Sequence, residues 1–291
     1  IITLNILCGF GVPEISNALL MNDEAVKKAL TRSKASLRKL DNILQTHIIT
    51  QSIERIETVQ TILYLMFNEG YKTTRGKEAI NNDLCFEAIR LAKLLGGDNK
   101  ALNNETSALL ALMFFNLSRF PARLNSEGEW LTLEEQDRDQ WNKVFIEEGY
   151  HYLKEATQTN TLTRFHLEAI IASLHCSAST FEETNWTKIS WLYAQLEKIE
   201  PSSPLIKLNR IIAESYISNS TNFIHAIDEI STSEILKNSF LVPATKGDIY
   251  KRRGEIIEAK KAYEKAFELA VSPNDKIFLM RKISQCDHRQ D

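Results

Sequence analysis

Residues 243–272 read PATKGDIYKRRGEIIEAKKAYEKAFELAVS, and this stretch decides the fold. Gly247, Tyr250, Gly254, Ala259, Tyr263 and Ala266 are spaced as two amphipathic helices that fold back on each other through a turn at Gly254. The small residues let two antiparallel helices approach closely, and the tyrosines fill the gap between them. The same rhythm extends upstream, with helices predicted near 52–69, 83–96, 104–119, 137–157, 162–176, 185–199, 204–217, 221–231, 234–240, 243–253, 256–270 and 273–286. One short β-hairpin is expected within 122–133, where Arg123-Leu124 and Trp130-Leu131 flank Asn-Ser-Glu-Gly.

Composition agrees with an all-α chain. Of 291 residues, 43% are hydrophobic and 25% charged, with only 10 Gly and 6 Pro. That balance supplies a sizeable core and excludes collagenous, low-complexity or largely disordered chains. No apolar run approaches the ~20 residues that cross a bilayer, and no secretory signal opens the sequence, so a soluble cytoplasmic protein is expected. Cysteines at 8, 85, 176 and 286 are too far apart for a metal knuckle or a compact disulfide framework. No metal and no cofactor is expected.

Charge divides the chain. Residues 1–40 carry six basic side chains against three acidic ones, whereas 41–291 carry 29 against 35. A small basic head thus precedes a large acidic body, the asymmetry of a protein that touches nucleic acid with one part only. Within the head, Pro13 opens a helix at a first-turn position, and Asn22 is an N-cap for the next. Val26, Leu30, Ser33, Leu37 and Leu40 lie on one face of that helix. Lys27, Thr31, Lys34 and Arg38, with Lys28 and Arg32, face away from it. Two helices joined by a short turn, the second with an exposed basic stripe, form a helix-turn-helix, whose second helix enters the DNA major groove. The polar stretch 41–51 is a linker between this module (1–40) and a helical extension (52–291).

Within the extension, 243–272 has the signature of one tetratricopeptide repeat, with the usual proline displaced to Pro273. The body is a degenerate tetratricopeptide-like superhelix. Beyond the repeat, Ile2–Gly9, Val12–Ser16, Val26–Lys34 and Leu37-Arg38 resemble region 4 of bacterial RNA polymerase sigma factors. Leu63–Tyr71, Asp83–Leu91, Glu135–Arg138 with Trp141, Ala169–His175, Asn185-Trp186 and Leu208–Arg210 resemble the extracytoplasmic-function sigma factors that carry a tetratricopeptide-like extension.

The resemblance implies a promoter-recognition subunit. Region 4 would read the −35 element and contact the polymerase core, and the extension would govern activity through contact with the sigma domains. Region 2 and the start of region 4 have no counterpart here, so a fragment is expected. The candidate DNA contacts are Lys27, Lys28, Thr31 and Arg32 near base edges, with Lys34 and Arg38 at phosphates. Asn68, Glu69 and Tyr71, then Gln136, Asp137 and Arg138, are candidate contacts in the extension, with structural roles as their competing reading. Asn209 and Arg210 are open to two readings, contact with a peptide or ligand and an inter-helix hydrogen bond. No catalytic motif is present: His175-Cys176 are sequential on a helix and diverge by about 100°, and His166-x-Glu168 lacks its zinc-binding partner. The alternative to a sigma factor is a protein- or peptide-binding scaffold whose helix-turn-helix is occluded.

Overall fold

A computed structural model describes residues 1–39, 53–74, 79–95, 100–158 and 161–287. The expected linker, 41–51, and Leu40 lie outside them. The described residues are all-helical: α1 (Ile2–Ile6), α2 (Val12–Leu19), α3 (Asp23–Arg38), α4 (Ile53–Tyr71), α5 (Asn82–Leu94), α6 (Lys100–Ser118) and α7 (Lys143–Ala156), then α8 (Arg164–Ser177), α9 (Trp186–Ile199), α10 (Pro204–Ile217), α11 (Asn222–Ser231), α12 (Leu241–Arg252), α13 (Ile256–Leu269) and α14 (Pro273–Asp287). None of these helices is long and apolar enough to cross a membrane.

The chain forms two compact units. The first comprises 1–117 and 148–160, the second 118–147 and 161–291. In the first, α1, α2 and α3 pack on one another, and α4 lies against α1 and α2. Asn22 caps α3 by accepting the Ala25 N–H, as its side chain predicts. The turn before it passes through Leu20 at φ +53°, a left-handed conformation that strains a side chain with a Cβ. Helix α4 runs on through Gly70 to Tyr71, so this glycine does not end the helix. It is instead where α5 comes closest: a Cβ there would lie 2.7 Å from Cys85 Sγ and 2.8 Å from the Asn81 carbonyl.

In the second unit, α8, α9 and α10 share a core of Leu167, Ile171, Ile189, Leu192, Leu196 and Ile206. A second cluster joins α10, α11 and α12 through Leu208, Ile211, Ile227 and Ile249. The third surrounds Ala259, Tyr263, Ala266 and Leu279 on α13 and α14. Helices α12 and α13, joined by three residues, pack closely along their length. Tyr263 is 1% exposed and packs where Gly247 has no side chain, since a Cβ there would lie 2.6 Å from its ring. Its hydroxyl donates to Asp248 at 2.6 Å, and Asp248 also pairs with the buried Lys282 of α14 at 3.5 Å.

Three expectations need correction. The β-hairpin is absent: Leu124 and Trp130 form one isolated antiparallel bridge, and the described residues contain no strand. Arg123 on one side closes a 3-10 turn over Phe120–Ala122, and on the other the Thr132 N–H turns back to the Glu135 carboxylate, leaving no room for a ladder. Residues 234–240 form turns rather than a helix, held by the Ser233 carbonyl, which accepts from Leu236 and Lys237. The helix expected over 137–157 is a 3-10 turn at Arg138–Gln140 followed by α7. The break comes at Trp141, whose backbone is extended.

Gly247→Ala should lower stability by about 1–3 kcal/mol, because Tyr263 is buried and its ring must shift. Urea denaturation reads this as a lower midpoint at constant slope; an unchanged midpoint would show that the contact is not tight.

Candidate functional site

Helix α3 carries the basic candidates. Val26 and Leu30 are buried, and Ala29, Ser33 and Leu37 half-buried, so this seam holds α3 on its neighbours. Lys27, Lys28, Thr31, Arg32, Lys34 and Arg38 are all exposed. At about 100° per residue, Lys27, Thr31, Lys34 and Arg38 line one flank of the seam, and Lys28 and Arg32 continue around the outer face. The Lys27 ammonium is 2.7 Å from Glu24 in an exposed i,i+3 pair, of a kind that holds a side chain only weakly. Thr31 donates its hydroxyl to the Lys27 carbonyl, which leaves its methyl and oxygen lone pairs outward. The face can neutralise phosphate through five cations.

Glu69, at the end of α4, is 8% exposed and accepts both the Thr74 N–H, at 2.7 Å, and the Thr74 hydroxyl, at 2.6 Å. Asn17 of α2 donates to that same hydroxyl, so Glu69 is the anchor of a chain of hydrogen bonds linking α2 to the segment after α4. Burial pushes its carboxyl above the usual range, against the pull of Thr74. Tyr71 stacks on Phe67, with ring centroids 5.9 Å apart, and Asn68 is half-buried on the same helix. Glu69 is thus engaged in hydrogen bonds and Tyr71 in ring stacking within the first unit.

In the second unit, Gln136 is buried and bridges Arg119 Nε and the Leu131 carbonyl, each at 3.2 Å. Asp137 caps the 3-10 turn by accepting the Asp139 N–H. Arg138 donates to the carbonyls of His175 and Ala178 and to the Thr184 hydroxyl. It thereby caps the C-terminal end of α8, where carbonyls lack helical partners. Arg281 of α14 holds the preceding segment, donating to the Trp130 carbonyl at 2.6 Å and to Glu135 at 2.8 Å. Burial alone pushes the Glu135 carboxyl up; Arg281, the Thr132 N–H and hydroxyl, and the Lys282 charge outweigh it and hold it at about 2.

Asn209 and Arg210 separate in space. Arg210 joins α9 to α10 by pairing with Glu197 at 2.6 Å and Glu214 at 3.3 Å. Asn209 lines a cavity of about 180 Å³, which sequence reasoning missed. Its signal is present in the helical spacing of Trp186, Ile189 and Tyr193 on α9 and of Asn209, Ile212 and Tyr216 on α10. His175 also lines it. The Nδ1 of that histidine is buried without a hydrogen-bond partner. Burial and the charges of Arg119 and Arg138 lower its pKa to about 3, so it is neutral. Among the described residues, no group of three or more His, Cys, Asp or Glu side chains is arranged to hold a metal.

Comparison with known proteins gives two likenesses. Residues 55–157, from α4 to just past α7, match the model of a family of unknown function (DUF6596). An uncharacterized protein of Rhizobium meliloti (strain 1021) is 32% identical over 287 residues, which is 99% of this chain and 66% of that protein. The chain therefore spans just under two thirds of the length of that relative. No solved structure matches.

The Glu135–Arg281 contact should make stability depend on acid. The carboxyl binds its proton less readily folded than at its usual value of 4.5, so its contribution is complete above about pH 4.5 and is lost as pH falls toward 2. Full loss amounts to about 3 kcal/mol. Glu135→Gln should lower the urea midpoint at pH 6 much more than at pH 3; an equal gap at both would remove this pair from the acid response.

Proposed function

We propose that this chain is the C-terminal part of a bacterial RNA polymerase sigma factor of the extracytoplasmic-function type. On this reading α2 and α3 are the helix-turn-helix of region 4, α3 reads the promoter −35 element, and α4 onward is a tetratricopeptide-like extension that regulates the subunit. Its partners are promoter DNA and the polymerase core, and its setting is the bacterial cytoplasm. The chain binds and regulates on this view, and carries no catalytic step.

The observation that carries the reading is the solvent exposure of all six candidate DNA contacts on α3, opposite the seam that seats the helix. A recognition helix needs this division, because its outer face must reach base edges while its inner face keeps register with the turn. Helix α4 packs on α1 and α2, which leaves the basic face open. This packing also gives regulation a physical route: a change in the extension reaches the reading head through α4 and the Glu69–Thr74–Asn17 hydrogen bonds.

Fluorescence anisotropy with labelled duplexes tests the reading. Binding by this chain alone should be weak, at about 10⁻⁴–10⁻⁶ M near physiological salt, with log affinity falling against log salt by about 0.9 per neutralised phosphate. Arg38→Ala should weaken all sequences alike and reduce the slope by about one unit. Arg32→Ala and Lys28→Ala should in addition flatten any preference for a −35 sequence, by about 1–3 kcal/mol if Arg32 contacts guanine through both nitrogens. Affinity unchanged in all three variants would move DNA binding off this face.

A further inference from the structure

The cavity in the second unit is independent of the DNA-reading face. Its apolar inner wall comes from Ile189 and Ala213, both buried, with Trp186 and Ile212 beside them. Its mouth carries Glu134 and Asn209, both exposed. Its volume, about 180 Å³, exceeds the about 150 Å³ that takes benzene in an engineered core.

Glu134, Asn209, Tyr193 and Tyr216, each with a polar side-chain group, line this cavity. An apolar pocket with a few polar groups at its edge is the usual form of a ligand site. The rings themselves are engaged with one another: Trp186 stacks on Tyr216 at 4.3 Å, with Phe181 against both. This packing fixes the walls before any ligand arrives. Arg138 and Arg281 anchor either side of the segment bearing Thr132, Leu133 and Glu134, so the mouth is held as well.

Charge selects the ligand. Among the described residues, Glu134 is the one carboxylate lining the cavity, and His175 is neutral. Arg252 lies close to Tyr216, at 4.0 Å from its ring, but is bound to the Ser215 hydroxyl and does not line the space. We infer that this cavity binds a small organic cation: an ammonium group held at the mouth by Glu134 and Asn209, on an apolar body of about the size of a benzene ring seated against Trp186, Ile189, Ile212 and Ala213.

Tryptophan fluorescence of the purified chain tests this with benzylammonium, and with benzyl alcohol and benzoate as neutral and anionic counterparts. Benzylammonium should give a saturable change with Kd about 0.1–1 mM, and the other two should bind at least about tenfold more weakly. Glu134→Gln alters an exposed side chain, so circular dichroism should be unchanged while the Kd for benzylammonium rises about tenfold. Asn209→Leu, at an exposed helical position, should weaken binding in the same direction. Trp186→Phe should abolish the optical change and leave the signals of Trp130, Trp141 and Trp191. No saturable response up to about 10 mM, benzoate binding as tightly as benzylammonium, or an unchanged Kd in Glu134→Gln would overturn the proposal.

Discussion

Helices without a sheet bury their apolar faces only by lying on other helices, and the distance at which they do so here is set by small residues beneath rings. Tyr263 packs against Gly247 and Phe115 against Gly149, each ring occupying the space a Cβ would take. The closeness at Gly247 has an electrostatic consequence. It brings the Tyr263 hydroxyl to Asp248, whose carboxylate also meets Lys282, a side chain only 6% exposed. A buried ammonium is costly unless it is paired, so one network satisfies three polar groups and ties α12, α13 and α14 together.

The irregular segment between α6 and α7 solves a different problem. With one β-bridge and two 3-10 turns, it leaves backbone carbonyls without regular partners, and such groups must be satisfied when buried. Long cationic side chains do this. Arg138 takes two carbonyls at the end of α8, and Arg281 takes that of Trp130. Arg123 adds its guanidinium 4.6 Å from the Trp130 ring, a cation–π contact that covers apolar surface as well as charge. Residues 132–134 consequently have a defined position at the cavity, which a free loop of this length would not provide.

The basic head follows opposite rules. The cations Lys27, Lys28, Arg32, Lys34 and Arg38 are exposed, and among the described residues Lys27 forms an exposed pair with Glu24. Surface charges of this kind add little to folding, so nothing in the packing of α3 requires Lys28, Arg32 or Arg38 to be basic. Arg138, Arg210 and Arg281, by contrast, meet carbonyls or carboxylates within the chain.

How much of this was legible depended on the range of the interaction. The sequence alone determined the all-helical class, most of the helices from α4 onward though not the turns at 234–240 or the 3-10 turn before α7, the Asn22 cap, the two faces of α3, and the small-residue and tyrosine positions of α12 and α13. All of these rest on periodicity and capping within a few turns, which local sequence encodes. Only the tertiary structure decided that Arg123-Leu124 and Trp130-Leu131 make a bridge rather than a hairpin, that Arg138 serves backbone carbonyls, that Gly70 is a contact point, and that Asn209 faces a cavity while Arg210 does not. Adjacent residues on a helix point about 100° apart, and what each meets is set by helices distant in sequence. Spacing along the chain carries no record of those partners.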